Sequence, residues 1–476
     1  MIQSGNLFTP MNNSDKFGLT VNQLQSLVAE GLKGGGDWCD LYFEDTTYTD
    51  LLLRDGEVNA GGFNIDYGCG IRVLAGERTG YAYSETTDYP SLLSAARAAA
   101  GIASSGRFTA VACNAKPYQS YSMQKDWRSV SSGSFVPFLE KIDKGIRARD
   151  SRAIKVVAML SYSVSDIMMY NSLGELTCDC RPLGSISISV IFSQGGQLEK
   201  STASRSFRKG PEMLDDALVE ELVGLAVKGI DERFAARRPK GGKMSVVMAA
   251  GASGILLHEA MGHAFEADFN RKGQSVFADR MGKRICPEGI NIIDDGTVPF
   301  NRGSIRYDDE GVPAQKTYMV TDGVLTSYLH DRISASWYGV APTGNGRRES
   351  FRYNPIPRMR ATYMESGTDG TLDDLVASVK KGVFVDQFAN GQVKIGEGDF
   401  TFYVQSGFLI ENGKLTMPVK DINIIGNGPQ ALSDIAAVAG DLRIDNGTWT
   451  CGKEQSVAVS CGIPSVLINN LTVGGE

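Results

Sequence analysis

Apolar residues recur first at helical spacing and then at strand spacing in the N-terminal half of the chain. The apolar positions from Val21 to Leu32 are mostly three or four apart, which predicts a helix that ends at Gly34. Short alternating segments with glycine-marked turns then predict strands at 41–44, 48–53, 70–74 and 79–84. An alanine-rich helix over 91–103 completes this first round.

A second round with the same order follows a polar loop and indicates an internal duplication. A helix is predicted over 136–148 and a long helix over 213–235. The strands predicted between them lie at 154–163, 166–171, 175–181 and 185–192. The two rounds, about 17–110 and 130–238, share no clear sequence identity. Helices combined with antiparallel meanders favour an α+β fold over a doubly wound parallel sheet.

The pattern changes at Pro239–Gly242, which predicts a domain boundary. We therefore expect an N-terminal α+β region at 1–238 and a separate C-terminal domain at 239–476. The second domain begins with a strand over 244–250, a glycine turn and a helix. Short segments separated by Asp-Gly and Asn-Gly turns then predict a β-rich structure.

Composition and charge argue against nucleic-acid and membrane partners. Of the 476 residues, 42% are hydrophobic and 22% are charged, as in ordinary globular proteins. The net charge of −7 disfavours a surface that follows phosphates. We expect no membrane span and no signal peptide, because the long apolar runs that both require are missing. The eight cysteines are scattered without a CxxC motif, which favours a reducing compartment.

Two of the three histidines flank a glutamate in the hexapeptide HEAMGH, which runs from His258 to His263. A chance match to this pattern in so His-poor a chain is roughly a one-in-a-thousand event. Two neutral imidazoles bind a divalent metal such as zinc, and the adjacent carboxylate takes a proton from the metal-bound water, whose pKa falls to about 7. The motif therefore predicts one metal site, with His258 and His263 as ligands and Glu259 as catalytic base.

The spacing of the two histidines requires an irregular backbone. Positions five apart on a regular helix point about 140° away from each other, so their side chains cannot reach one ion. We expect regular helix through His258 and Glu259, and an end or bulge of the helix before His263. Gly262 is the residue that most easily takes a left-handed or irregular conformation there.

The third ligand of the metal stays open at this point, since a catalytic zinc commonly has three protein ligands and one open position. The candidates are Cys451, Cys461, Cys286, His330, Glu266 and Asp268. Cys451 lies in a glycine-punctuated stretch where Lys453 would favour a thiolate, although a small buried cysteine is the commoner case for such a pattern. Glu266 and Asp268 are more typical of hydrogen-bond partners of a metal-bound histidine, and His330 of a structural or surface residue.

Several longer stretches resemble the TldD-like branch of the PmbA/TldD peptidase family. They are HEAMGHAFEADFNRKGQSVF from His258, DDEGVPAQ from Asp308, GVAPTGNGRRES from Gly339, PIPRMRATYM from Pro355, LIENGKLTMPVKD from Leu409, TCGKE from Thr450 and the terminal NNLTVGG. The resemblance spans nearly the whole chain and is strongest from Met244 onward. The first ten or so residues look like an extension without a counterpart in the family.

The resemblance implies a cytoplasmic zinc metallopeptidase that degrades or matures peptides. It implies that His258, His263 and Cys451 hold one Zn²⁺ per chain and that Glu259 is the catalytic glutamate. The other branch, PmbA or TldE, lacks HExxxH and partners the active subunit. This chain therefore resembles the active member, and a homodimer or a heterodimer with a TldE-like subunit is expected. The family is also labelled a modulator of DNA gyrase, but the composition does not favour contact with DNA.

Two further features predict contacts with a peptide substrate. The glycine-rich loop at 344–348 ends in Arg347 and Arg348, whose guanidinium groups can hold a carboxylate or a backbone carbonyl. The alternative is a tight turn whose arginines pair with acidic residues on another strand. The segment around 400–410, which includes Tyr403, offers an edge that an extended peptide can join as an additional strand.

Two other functions are compatible with the motif. A subunit that only supports assembly would keep a metal for its structure, in a site closed by four protein ligands. A metal-dependent hydrolase of another amide would share the same site and differ only in its substrate. The activity that we expect is zinc-dependent hydrolysis of extended or unfolded peptides.

Overall fold

The computed structural model describes residues 16–102, 111–116, 118 and 121–475 of the chain. The predicted N-terminal extension and the end of the helix predicted over 91–103 lie outside the described residues. Helices and largely antiparallel sheets alternate through the described part, which confirms the predicted α+β class. No helix within these residues has the length and apolar character needed to cross a membrane.

The helices are α1 (Val21–Leu32), α2 (Tyr89–Ala100), α3 (Val136–Arg149), α4 (Asp216–Val227), α5 (Ile230–Ala235), α6 (Ile255–Leu257), α7 (Ala267–Arg271), α8 (Arg332–Tyr338), α9 (Leu372–Ser378) and α10 (Gly428–Ser433). The strands before residue 239 are β1 (Trp38–Arg54), β2 (Glu57–Ala75), β3 (Arg78–Ser84), β4 (Asn114–Ala115), β5 (Ala153–Asn171), β6 (Glu175–Gln194) and β7 (Gln197–Phe207). The later strands are β8 (Gly242–Met248), β9 (Ile292–Asp295), β10 (Lys316–Thr321), β11 (Val324–Leu325), β12 (Gly346–Arg347), β13 (Ile356–Pro357), β14 (Ala361–Met364), β15 (Lys381–Lys394), β16 (Asp399–Glu411), β17 (Lys414–Val419), β18 (Asn423–Asn427), β19 (Ile435–Val438), β20 (Arg443–Ile444), β21 (Thr450–Lys453), β22 (Gln455–Ala458), β23 (Ser460–Ile463) and β24 (Val466–Val473).

One sheet holds all the strands that the structure describes before residue 239. Its order is β3-β2-β1-β5-β6, and both β7 and β4 pair with β6. Each predicted repeat therefore contributes consecutive antiparallel strands, and the two halves join edge to edge through β1 and β5. Helices α1 and α2 bury one apolar cluster against this sheet, and α3 and α4 bury another.

Three of these strands are longer than predicted, because polar residues that resembled turns remain in the ladder. Strand β1 includes both segments predicted at 41–44 and 48–53, and Asp45 between them pairs with Asp166 of β5. The segments predicted separately in β5 and in β6 are likewise continuous. Strand β7 was not predicted, because its sequence QLEKSTASRSF has no apolar run.

The prediction of one long helix over 213–235 is wrong. The chain forms two helices, α4 and α5, and Gly229 between them has a φ of 71°. A residue in the left-handed region cannot continue a right-handed helix, so the chain changes direction there.

A closed ring of strands forms the centre of the C-terminal domain. The ring runs β15-β8-β24-β18-β16 and closes where β16 pairs with β15. On its other side, β16 pairs with β17 and β18, with Tyr403 opposite Asn423. The prediction that the segment around 400–410 offers a free edge to a peptide strand is therefore wrong, because β16 is paired on both sides.

A second sheet and two small hairpins complete this domain and surround the site. The sheet order is β11-β10-β9-β14-β23-β20, and the hairpins are β12–β13 and β21–β22. One apolar cluster joins the ring, this sheet and the helical segment at 255–265. The segment that carries both histidines is therefore embedded in the core.

Buried charges join the N-terminal sheet to the C-terminal domain. Arg72 of β2 lies 2.6 Å from Asp40 and 2.7 Å from Glu310. Arg181 of β6 lies 2.6 Å from Asp309. Loss of Arg72 or Arg181 would remove a cation that buried carboxylates of both regions share, so these ion pairs disfavour other arrangements of the two regions.

Candidate metal centre

The two histidines lie on a helical segment that changes its winding at the motif. Ile255–Leu257 is α-helical, His258–Gly262 is a π-helical turn and His263–Phe265 is a 3-10 turn. The backbone N–H of His263 donates to the carbonyl of His258, five residues earlier. A π turn brings residues five apart to the same side of the helix, and the imidazole centroids lie 5.1 Å apart. The predicted bulge between the histidines is confirmed.

The predicted conformation of Gly262 is wrong. Its φ of −56° and ψ of −50° belong to the right-handed helical region. Glycine is required for space instead, because a Cβ at this position would lie 2.1 Å from the sulfur of Met359. The regular helix also ends earlier than predicted, since the π turn begins at His258 and includes Glu259.

Cys451 reaches the histidines from a hairpin far along the chain. The turn between β21 and β22 is made by Glu454, whose φ is 57°. The fully buried Arg358 donates to the carbonyl oxygens of Cys451 and Gln455 at 2.6 Å and 2.7 Å, one on each strand. This arginine therefore holds the hairpin in position. It lies in the stretch PIPRMR, to which sequence reasoning gave no role.

Three potential metal ligands converge at this point. The Sγ of Cys451 lies 3.1 Å from the Nε2 of His258 and 3.1 Å from the Nε2 of His263. All three donor atoms lie within 4.8 Å of one another, and all three side chains are buried. In the part of the chain that the structure describes, no other group of three His, Cys, Asp or Glu residues is so close. Two imidazoles and a thiolate are a donor set that fits zinc and leaves a fourth position open.

A buried carboxylate fixes the orientation of His263. The Nδ1–H of His263 donates to Glu266 at 3.0 Å, which directs Nε2 toward Cys451. The ammonium of Lys453 lies 3.1 Å from Glu266 and 2.7 Å from Asp268. The role expected for Glu266 beside a histidine agrees with this geometry, whereas Asp268 contacts the lysine. Lys453 is thus a partner of these carboxylates, two residues beyond Cys451.

The pKa values reflect the close packing of these charges. Burial raises the pKa of the Cys451 thiol, but His258 and His263 lower it more, to about 4. Burial lowers the pKa of His263, but Glu266 and Cys451 outweigh it and raise the value to about 10. Burial also raises the pKa of Glu266, yet Lys453 and His263 lower it to about 2. The cysteine is therefore poised as a thiolate, the form that binds metal.

Glu259 lies beside the cluster and is more exposed than the three potential ligands. The ligand side chains are buried, whereas Glu259 is only partly buried. Burial raises the pKa of Glu259, and the neighbouring His258 and His263 oppose the rise. A carboxylate with a raised pKa and access to water is suited to accept and return a proton.

The loop predicted to expose Arg347 and Arg348 is buried, so that expectation is wrong. Only 4% of Arg347 and 5% of Arg348 is exposed. Arg347 donates to the carbonyl of Met359 at 2.7 Å. Arg348 contacts the carboxylate of Asp40 at 3.4 Å and donates to the carbonyl of Asp309 at 3.0 Å. An acidic residue from a distant segment pairs with Arg348, as in the tight-turn alternative, whereas a backbone carbonyl accepts from Arg347, so neither offers a free guanidinium to a peptide in this structure.

The remaining candidate ligands lie outside the cluster. Burial raises the pKa of Cys286 to about 12 and also raises that of Cys461. Burial lowers the pKa of His330 to about 4, and its ring packs edge-on against Tyr338. His330 is accordingly a neutral, structural histidine.

Comparison with known proteins extends this picture to the whole chain. Three family models match: PmbA/TldA metallopeptidase domain 1 at residues 39–103, the central domain at 125–230 and the C-terminal domain at 241–475. A protein of Haemophilus influenzae named metalloprotease TldD homolog is 37% identical over 482 residues, covering 99% of this chain and 98% of the relative. A Saccharolobus solfataricus protein named zinc metalloprotease TldD homolog is 32% identical over 293 residues, 61% of this chain and 65% of the relative.

The fold has a close counterpart among solved structures. TldE from Thermococcus kodakarensis superimposes with a TM-score of 0.74 at 20% identity, covering 95% of this chain and 100% of that protein. The fold, the family models and the full-length identity agree. The chain belongs to the PmbA/TldD family of metallopeptidases, and the resemblance recognised in the sequence is confirmed.

Proposed function

We propose that this chain is a zinc-dependent metallopeptidase that hydrolyses extended or unfolded peptides. In this proposal His258, His263 and Cys451 hold one zinc ion and Glu259 is the general base. The observation that carries it is the convergence of two imidazoles and a thiolate within 4.8 Å, beside a carboxylate that water can reach. Membership of a metallopeptidase family supports the peptidase activity, and the name of the Saccharolobus solfataricus relative supports zinc.

The residues of the site have distinct tasks in this reaction. A bound zinc ion would supply a Lewis acid for the scissile carbonyl and would bring the pKa of water to about 7. Glu259 removes a proton from the attacking water and returns it to the departing amine, a role for which its raised pKa is suited. Glu266 holds the Nδ1 side of His263 and so keeps Nε2 directed at Cys451, where the two residues would bind the zinc ion.

The number of protein ligands favours catalysis over a purely structural metal. Neither Glu259 nor Glu266 joins the three clustered donors, so a zinc ion held by those three would keep one position for water and substrate. A site closed by four protein ligands would support the alternative of an assembly subunit. Hydrolysis of another amide would use the same residues, and comparison of peptide with non-peptide amide substrates separates that alternative.

We also propose that the protein acts in the cytoplasm as a homodimer or together with a TldE-like subunit. The similarity to TldE supports a matching shape for such a partner. Light scattering of the chain alone and of a mixture with a TldE-like protein measures the mass of the complex. A strictly monomeric chain in both samples would contradict this part of the proposal.

The test combines zinc content with cleavage of an unfolded polypeptide. Wild type is expected to bind one zinc and to cleave, Glu259→Ala to bind but not cleave, and Cys451→Ala to lose zinc. Glu288→Ala, which removes an exposed glutamate, is the control and should retain both properties. If wild type binds zinc but does not cleave, the assay is repeated with a TldE-like subunit. A chain that binds no zinc, or that cleaves equally well without Glu259, would refute the proposal.

A further inference from the structure

A polar cavity of about 720 Å³ opens behind the segment that follows the histidine motif. Its wall includes Arg271, Arg280 and Lys283, against the single carboxylate of Asp279. The cavity is therefore positively charged in a chain whose net charge is −7. An excess of cations in one concave surface attracts an anionic group.

Two of the three cations of this wall are available to a ligand. Neither Arg280 nor Lys283 forms an ion pair with any described residue, and both are exposed. The side chain of Arg271 is nine-tenths buried and pairs with Glu77, but its Nε–H has no hydrogen-bond partner among the described residues. A buried donor without a partner is costly, and a ligand oxygen would satisfy it.

An aromatic wall adjoins these charges. Trp337 of α8 lines the cavity and is 56% exposed, and Tyr338 lines it next to Trp337. A large indole that stays exposed beside a cavity provides apolar contact for a ligand that also carries charge. The combination fits a carboxylate attached to a chain with an apolar portion, such as a peptide.

Hydrogen bonds join the wall of the cavity to the chain segment that follows His263. Asn270, which lines it, donates to the carbonyl oxygens of Ala264 and Glu266 at 2.7 Å and 3.0 Å. Ser275, also in its wall, donates to the same Ala264 carbonyl at 2.6 Å. Arg271 follows His263 by eight residues, and the extended Glu266 separates the helical turn of His263 from α7, which carries Arg271.

We propose that this cavity binds a carboxylate of the substrate peptide, with Arg280 and Lys283 as its charge partners and Trp337 as the adjoining apolar wall. The inference rests on the proposed peptidase function. The carboxylate is either the C-terminus of the peptide or an acidic side chain, and both present the same chemistry to the cavity. The site thereby gives the enzyme a preference for substrates that carry a negative charge on one side of the cleaved bond.

The test measures peptide binding and needs no cleavage. Three short fluorescent peptides of one sequence are compared: a free C-terminal acid, its C-terminal amide, and an amide that ends in glutamate. Their affinity for the full-length Glu259→Ala protein is measured by anisotropy at low salt. The free acid is expected to bind about tenfold more tightly than the plain amide, the size of one charge-assisted hydrogen bond. The glutamate amide identifies the source: tight binding indicates an acidic side chain, and weak binding indicates the C-terminus.

Two charge-matched variants assign the effect to the cavity. Arg280→Gln combined with Lys283→Gln should abolish the difference between acid and amide. Lys380→Gln combined with Lys381→Gln removes the same charge from exposed positions elsewhere and should preserve it. Equal affinity of all three peptides for the Glu259→Ala protein with an intact cavity, or a difference that survives in the cavity variant, would overturn the inference.

The outcome separates this inference from the peptidase proposal. Carboxylate-selective binding by a protein that cleaves no peptide would retain the cavity as a binding site and reject the peptidase activity. Cleavage without any preference for a carboxylate would reject the cavity's role and leave the peptidase activity intact.

Discussion

Replacement of Gly262 by alanine tests whether close packing at the π turn holds the metal ligands together. A Cβ at this position would lie 2.1 Å from the Sδ and 3.1 Å from the Cε of Met359. Carbon and sulfur cannot approach so closely, so either Met359 or the histidine segment must move by more than about 1 Å. Met359 is fully buried between Arg358 and Arg360, which are also buried, so little space is available to it.

The expected loss of stability combines two opposing contributions. Overpacking of a filled core destabilises by roughly 1–3 kcal/mol. Alanine is favoured over glycine in a helix by up to about 1 kcal/mol, which offsets part of that loss. We therefore expect a net decrease of about 1–2 kcal/mol in the free energy of unfolding, together with about tenfold weaker zinc binding because His263 is the next residue.

Denaturant unfolding of the metal-free protein and zinc competition with a chelator measure both quantities. Gly452→Ala is the matched control, because it lies beside Cys451 and a Cβ there meets nothing within 4 Å. It should change stability by less than about 0.5 kcal/mol. Met359→Ala opens space for the new methyl group, so in a double-mutant cycle it should partly rescue Gly262→Ala. A Gly262→Ala protein with unchanged stability and zinc affinity would refute the packing argument.

The other predictions concern the surroundings of the site and a buried carboxyl. Glu266→Gln should weaken zinc binding by about 10–100-fold, because His263 loses its charged partner. Chelator competition measures the affinity, and an unchanged affinity would contradict this prediction. Arg358→Met should weaken zinc binding and raise the alkylation rate of Cys451 as the hairpin loosens, whereas Arg352→Met on the same segment should do neither. Burial raises the pKa of Glu44 from 4.5 to about 7, so the folded protein favours the protonated form of this carboxyl. The contribution of Glu44 to the free energy of unfolding is therefore most favourable below pH 4.5 and is lost as the pH rises through 7. Glu44→Gln should therefore stabilise the protein above pH 7 by up to about 3 kcal/mol and have little effect near pH 4, and a pH-independent difference in denaturant midpoint would oppose this.

The sequence predicted those elements whose pattern is local. The amphipathic helices α1 and α3 were placed within a residue or two, because one apolar face and a clear end define each of them. The continuous strands β1, β5 and β6 were divided at polar residues, since only the neighbouring strands keep such residues in the ladder. The break at Gly229 was missed because a lone glycine within an apolar pattern is also tolerated inside helices.

The sequence predicted those parts of the metal centre whose residues are close together along the chain. The HEAMGH hexapeptide alone indicated two ligands and a base, and the convergence of ligands on one ion required a bulge between them. Spacing could not supply Cys451, which lies 188 residues beyond His263 and was assigned only through resemblance. Arg347 and Arg348 were misjudged for the same reason, because Asp40, which helps to bury Arg348, lies 308 residues away from it.

X-ray absorption at the zinc edge tests the central claim of this account most directly. Zinc-loaded wild type should show two nitrogen ligands at about 2.0–2.1 Å, one sulfur at about 2.3 Å and one further light atom. Cys451→Ala should lose the sulfur shell, and Cys461→Ala, which removes a buried cysteine outside the cluster, should retain it. A shell of light atoms alone in wild type, or a sulfur shell that survives in Cys451→Ala, would contradict the proposed centre.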